Sequence, residues 1–174
     1  SGTILDTARL RARLSECYHI NQKNVHAYIM GAHGDSAFVP WSIANISNVP
    51  VDDYPNYSNT DGMMMPPLNH AEIENYVRKS GARVIARKGA TFYAVSVSVC
   101  HICKALLSSI DTTMTVSTMM HGEYGIDDVC LSVLNIVGRE GAEGKVIMPL
   151  TDGEVALLNK SAESLKEVIR SLDI

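Results

Sequence analysis

The chain has 174 residues, 46% of them hydrophobic and 20% charged, enough apolar side chain for one compact domain with its own core. A formal net charge of -4 and a pI near 5.8 give no support to a nucleic-acid-binding face. No apolar run approaches the ~20 residues of a membrane span. The longest mainly apolar stretch, residues 90–107, is interrupted by Thr91, Ser96, Ser98, His101 and Lys104.

In chain order, residues 5–16 read as a helix, with Asp6 in its first turn and Ala8, Leu10 and Leu14 as helix formers. Residues 25–30 (VHAYIM) are β-prone and stop at Gly31, so a strand delivers its end into a glycine-flanked turn. Residues 49–67, rich in Pro, Asn, Asp and Tyr, read as an irregular connection. Asn69 or His70 opens a helix through Arg87, and Gly89 breaks it. A second, mostly buried helix is expected over residues 90–110. Apolar runs at 114–120, 129–137 and 145–148, punctuated by Gly122, Gly125, Gly138, Gly141 and Gly144, suggest antiparallel strands. Thr151, with Glu154 at capping-box spacing, starts a closing amphipathic helix to Leu172. The order of elements is α+β, a mostly antiparallel sheet packed with long helices, and not a doubly wound sheet.

Two segments could carry chemistry. In Gly31-Ala32-His33-Gly34-Asp35, a histidine stands at a strand end between glycines, where a substrate can approach. Its ordinary pKa lies near neutrality, which suits proton transfer in both directions. Such a histidine needs a partner on its second ring nitrogen, usually a carboxylate. Asp35 is too near in sequence to be assumed, and Asp6 is an equally legal candidate. In residues 5–11 (LDTARLR), Asp6 and Arg9 are three apart and share a helix face. Arg9 offers the planar fork that grips a carboxylate with two hydrogen bonds. Alone, each segment has an ordinary alternative, a turn histidine and a solvated helix.

Together, residues 5–11 followed at this distance by GAHGD resemble the lactate/malate dehydrogenase family. The similarity continues through Val39-Pro40-Trp41-Ser42, Lys88-Gly89-Ala90-Thr91, Val116-Ser117-Thr118, Gly122-Glu123-Tyr124-Gly125-Ile126 and residues 128–133, and reaches Leu158, Ser161 and Ala162. Leu134 departs from it, standing where the family commonly has Pro; a proline there is expected to sit at a strand edge.

The resemblance implies that His33 exchanges the proton on the substrate's C2 oxygen, that Asp6 orients it, and that Arg9 clamps the carboxylate of a 2-keto or 2-hydroxy acid. It implies NAD as cofactor, with Ser1 near the nicotinamide amide and Val95 packed on its ring. Thr91 with Val95 favours the lactate branch over malate or branched 2-hydroxy acids. Arg11 and His26 fall where bacterial family members bind fructose 1,6-bisphosphate between subunits, and a homotetramer is implied for the full-length enzyme. No Gly-x-Gly-x-x-Gly fingerprint occurs. Residues 1–174 are therefore expected to be the substrate-binding C-terminal domain, without its N-terminal Rossmann domain and inactive alone. A non-catalytic assembly module is the alternative from another class.

Cys17, Cys100, Cys103 and Cys130 do not read as a disulfide scaffold, and a cytoplasmic setting is expected. Cys100-x-x-Cys103, inside an apolar helix, reads as small buried hydrophobes, so no metal site is expected. Met63, Met64 and Met65 read as an interface or core edge, and His19, His70 and His121 as surface or packing residues.

Overall fold

The computed structural model describes residues 2–57, 65 and 67–172. The first helix, α1, spans Gly2–Tyr18. Three two-residue strands form a small antiparallel sheet in the order β1-β2-β3: β1 (Val25–His26), β2 (Asn45–Ile46) and β3 (Val49–Pro50). A one-turn α2 (Tyr54–Tyr57) precedes two long helices, α3 (His70–Lys88) and α4 (Tyr93–Leu106). The second sheet is antiparallel in the order β4-β5-β6, built from β4 (Thr112–His121), β5 (Asp127–Gly138) and β6 (Gly141–Lys145). The chain ends in α5 (Asp152–Arg170). This is the expected α+β class.

Local chemistry sets several boundaries. Asn69 accepts a hydrogen bond from the Glu72 N–H and starts α3, and Gly89, at φ 80°, ends it in the left-handed region that favours glycine. Thr151 and Glu154 form a reciprocal capping box. Glu154 does more than cap, because it also accepts from the Ser42 N–H at 3.0 Å and the Ser42 hydroxyl at 2.6 Å. One carboxylate thus ties the last helix to the segment that follows the GAHGD turn.

Apolar side chains gather on both sides of these elements. Leu10, Leu14 and Tyr18 of α1 pack with Val25, Ile46, Val51 and the α3 residues Ile73 and Val77. Met30, Phe38, Met120, Leu131 and Val133 pack against Leu158 and Ala162 of α5. A smaller cluster joins Ile4, Ala105, Met114 and Val137.

Five expectations are corrected. The third strand of the second sheet, expected at residues 145–148, is β6 at Gly141–Lys145, so Gly141 and Gly144 lie inside a strand. The segment 25–30 pairs as a ladder only at Val25 and His26; Met30 and Gly31 make isolated bridges, to Phe38 and Ser132. Helix α4 is shorter than residues 90–110 and is not mostly buried. Val97, Val99, Leu107 and Ile110 are exposed, and its buried residues are Ser98 and Ala105. Cys100 and Cys103 lie on that exposed surface as free thiols and are not core residues. Leu134 sits in the central strand β5, opposite Thr115, and its carbonyl accepts from the Val146 N–H, so the position is not a strand edge.

Burial pushes the Glu154 carboxyl up, but hydrogen bonds from Ser42 and Thr151 outweigh it and hold the group below the usual glutamate range. A folded-state value below the unfolded one contributes stability at pH above the ordinary glutamate value, and that contribution disappears as pH falls through the folded value. Glu154→Gln is therefore expected to be less stable than the parent near pH 7, by about 1–3 kcal/mol. The gap should be smaller at about pH 3, on the acid side of the ordinary glutamate value. Urea denaturation at both pH values measures it, and equal stability at pH 7 would refute the assignment.

Candidate functional site

The site begins with the way α1 is fastened to the second sheet. The Thr3 hydroxyl donates to the Thr115 carbonyl at 3.0 Å and lies 2.9 Å from the Ser132 hydroxyl. The Thr7 hydroxyl lies 3.2 Å from that of Thr115 and accepts from the Ile29 N–H at 2.9 Å. All four hydroxyl side chains are buried and satisfied. This buried polar seam fixes α1 against β4 and β5 and against the segment leading to His33.

The histidine turn is held at both of its ends. Gly31 exchanges backbone hydrogen bonds with Ser132 of β5, at 2.9 and 3.2 Å. The Ala32 N–H donates to the Ser161 hydroxyl of α5 at 2.8 Å, and the Ser36 hydroxyl lies 3.0 Å from the same oxygen. Gly31 has φ 90°, and a Cβ there would stand 2.8 Å from the Ser161 oxygen, so glycine is required twice over. On the other side, a Cβ on Gly2 would collide with the His33 ring.

This framework brings Asp6, His33 and Arg9 together. Asp6 is buried, at 6% exposure. One of its oxygens, Oδ2, lies 2.6 Å from His33 Nδ1, and the other, Oδ1, accepts from Arg9 Nη1 at 3.0 Å. Asp6, and not Asp35, is therefore the carboxylate that partners the histidine. With Nδ1 engaged, Nε2 is the ring nitrogen left for a ligand, and the His33 side chain is 57% exposed. Arg9 keeps donors beyond the one spent on Asp6, because a guanidinium carries five N–H groups. A histidine, able to transfer a proton, and a guanidinium, able to grip an anion, thus flank one buried negative charge.

The other expected site residues are not joined to this trio. Thr91 precedes α4 and Val95 lies in its first turn; both are partly buried, and no hydrogen bond or ion pair links either to Asp6, His33 or Arg9. Arg11 donates through Nε to the Ala27 carbonyl at 3.0 Å and lies over the Tyr28 ring, while His26 is exposed in β1. Ser1 lies outside the described residues, as do Met63 and Met64. Among the described residues no cluster of metal-ligating side chains occurs, and no helix is long and apolar enough to cross a membrane. Ser161 and Gly2 were not singled out in the sequence for positioning the histidine. A lone serine in a helix carries no signal, since its partner is 129 residues away.

Comparison with known proteins adds a second line. Residues 3–173 match the lactate/malate dehydrogenase, alpha/beta C-terminal domain family. The chain belongs to the lactate/malate dehydrogenase family. It is 42% identical over 174 residues to an L-lactate dehydrogenase of Acetivibrio thermocellus, covering 100% of this chain and 54% of that protein. An L-lactate dehydrogenase of a Thermoanaerobacter species is 41% identical, with 55% of its length covered. Among solved structures, a lactate dehydrogenase enzyme from a Medee basin deep-sea metagenome library superposes with a TM-score of 0.90 at 32% identity, over 99% of this chain and 55% of that one. The chain thus spans about half the length of the relatives it matches.

Ser161→Ala is expected to leave the Ala32 N–H without its partner and to cost about 1–2 kcal/mol. Hydrogen exchange at Ala32 should rise selectively in this variant. Unchanged protection at Ala32 would show that Ser161 does not hold the turn.

Proposed function

We propose that this chain is the substrate-binding and catalytic half of an NAD-dependent L-lactate dehydrogenase, interconverting pyruvate and L-lactate in the cytoplasm as part of a larger chain. The observation that carries the reading is the Asp6 carboxylate shared between His33 Nδ1 and Arg9 Nη1. The names of the relatives support it, and the full activity rests on sequence outside these 174 residues.

In this reading the free donors of Arg9 take the pyruvate carboxylate in a charge-assisted, two-point contact. The keto oxygen then lies toward His33 Nε2, which donates its proton as the oxygen becomes a hydroxyl and takes it back in reverse. Asp6 holds the ring in the tautomer with the proton on Nδ1 and stabilises the imidazolium that stands before proton donation. Fixing both carboxylate and oxygen exposes one face of the carbon, which selects the L product. Bound NADH would supply the hydride. The residues present suit only the nicotinamide end of that cofactor: Val95, in the first turn of α4, is a half-buried apolar side chain of the kind a flat ring packs on. Ser1 and Thr91 complete the proposed contacts to cofactor and substrate.

His33→Ala in the full-length protein is expected to lower kcat on pyruvate by about 10²- to 10⁴-fold. Arg9→Gln should raise KM for pyruvate by about tenfold or more, while the 174-residue chain alone should show no NADH oxidation. Turnover on pyruvate that survives loss of His33 would remove the reading, and faster turnover on oxaloacetate or longer 2-keto acids would move the substrate within the family.

A second ligand is suggested by Arg11, whose Nε donates to the carbonyl of Ala27, the residue that follows His26 in the chain. Arg11 and His26, paired across a two-fold axis in a homotetramer, would bind fructose 1,6-bisphosphate as activator. Arg11→Gln should abolish any rate increase produced by that bisphosphate, and an undiminished response would exclude Arg11 from the site.

A further inference from the structure

A groove of about 460 Å³ runs between α1 and α3. Four guanidiniums line it, Arg9 and Arg13 from α1 and Arg83 and Arg87 from α3, against one carboxylate, Glu16. Within each helix the two arginines are four residues apart, so like charges face each other on one turn and repel. The α1 pair is compensated: Arg9 by Asp6 at 3.0 Å, and Arg13 by Glu16 at 3.2 Å and Glu72 at 3.8 Å. The α3 pair is not. Arg83 donates only to neutral acceptors, the Tyr76 carbonyl at 2.8 Å and the Ser80 hydroxyl at 2.9 Å, and lies 4.1 Å over the Tyr76 ring. Arg87 has no hydrogen-bond or ion-pair partner among the described residues.

The end of α3 favours positive charge through its dipole, but Lys88 already stands there, over the rings of Phe92 and Tyr93. Two unpaired guanidiniums one turn apart, in a groove kept open by the small side chains of Ala12 and Ser80, lack a negative partner. A guanidinium fork matches the oxygens of a phosphate group better than those of any neutral ligand.

We propose that this groove binds a small phosphate-bearing anion, held chiefly by Arg83 and Arg87. The site is separate from the Arg11 and His26 position: Arg11, though also on α1, donates to the Ala27 carbonyl, and neither residue lines the groove. It is not separate from the substrate clamp: a Cβ on Gly81 of α3 would stand 4.0 Å from Arg9 Nη1, so Arg9 looks across the groove. An anion in the groove would compete with Asp6 for Arg9 and so weaken the grip on a substrate carboxylate.

The test is calorimetric titration of the full-length protein with inorganic pyrophosphate at low ionic strength, where exposed ion pairs are least screened. In an Arg11→Gln background, which removes binding at the Arg11 position, one site per chain is expected, with affinity reduced at least about tenfold when the double substitution Arg83→Gln/Arg87→Gln is added. Ala12→Glu in the same background, which places a carboxylate in the groove and leaves every arginine lining it intact, should abolish binding even if the double variant folds poorly. Glycerol 3-phosphate run beside pyrophosphate separates a phosphate ester from a free anion as the better occupant. Absence of binding in the Arg11→Gln background overturns the proposal, as does binding there that survives the double variant or Ala12→Glu.

Discussion

A buried carboxylate is stable only where its charge is answered, and Asp6 is answered on both oxygens. That constraint organises the whole site. For Asp6 to meet Arg9, α1 must be helical across that turn, so that residues three apart share a face. For Asp6 to meet His33, a turn 27 residues later must return to the same helix. Both conditions are met because Thr3 and Thr7 lock α1 onto β4 and β5, and because Ser132 and Ser161 catch the turn that carries the histidine. If either contact to Asp6 were lost, the buried charge would be undercompensated.

What could be read in the sequence was whatever is decided locally. The Asn69 cap, the Gly89 stop and the Thr151–Glu154 box are settled by neighbours within a turn, and each sits where expected. Two strands of the second sheet fall on the apolar runs at 114–120 and 129–137, but the third is Gly141–Lys145 and not 145–148, because its pairing with β5 and not its own composition decides it. Pairing and burial are tertiary facts, and there the reading departed from the structure. Residues 25–30 have the side chains of a strand, yet only two find a ladder partner. Helix α4 has the composition of a core helix, yet Val97 and Val99 face outward in this chain. The choice between Asp6 and Asp35 could not be made from spacing, because it depends on where the turn returns. Thr91, Val95, Arg11 and His26 were reached through resemblance, and no bond in the structure ties them to the trio.

Net charge says little about a molecule whose charges are segregated. The chain carries -4 overall, yet its cationic groups collect along facing turns of α1 and α3, beside the one carboxylate that both His33 and Arg9 depend on. An anionic ligand would therefore meet a locally positive field on an acidic chain, and ionic strength would act on its capture.

The hydroxyl of Ser161 has a consequence for the order of synthesis. During translation the GAHGD turn leaves the ribosome more than a hundred residues before the helix that holds it, the separation between Ala32 and Ser161 being 129. Until α5 has emerged, the Ala32 N–H and the Ser36 hydroxyl lack their partner, and the turn has only its tie to β5, itself made of residues that follow by about as many. The histidine of the turn is thus made more than a hundred residues before the helix that seats it, and a chain cut short before α5 would carry every residue of the trio without the clamp that aligns them.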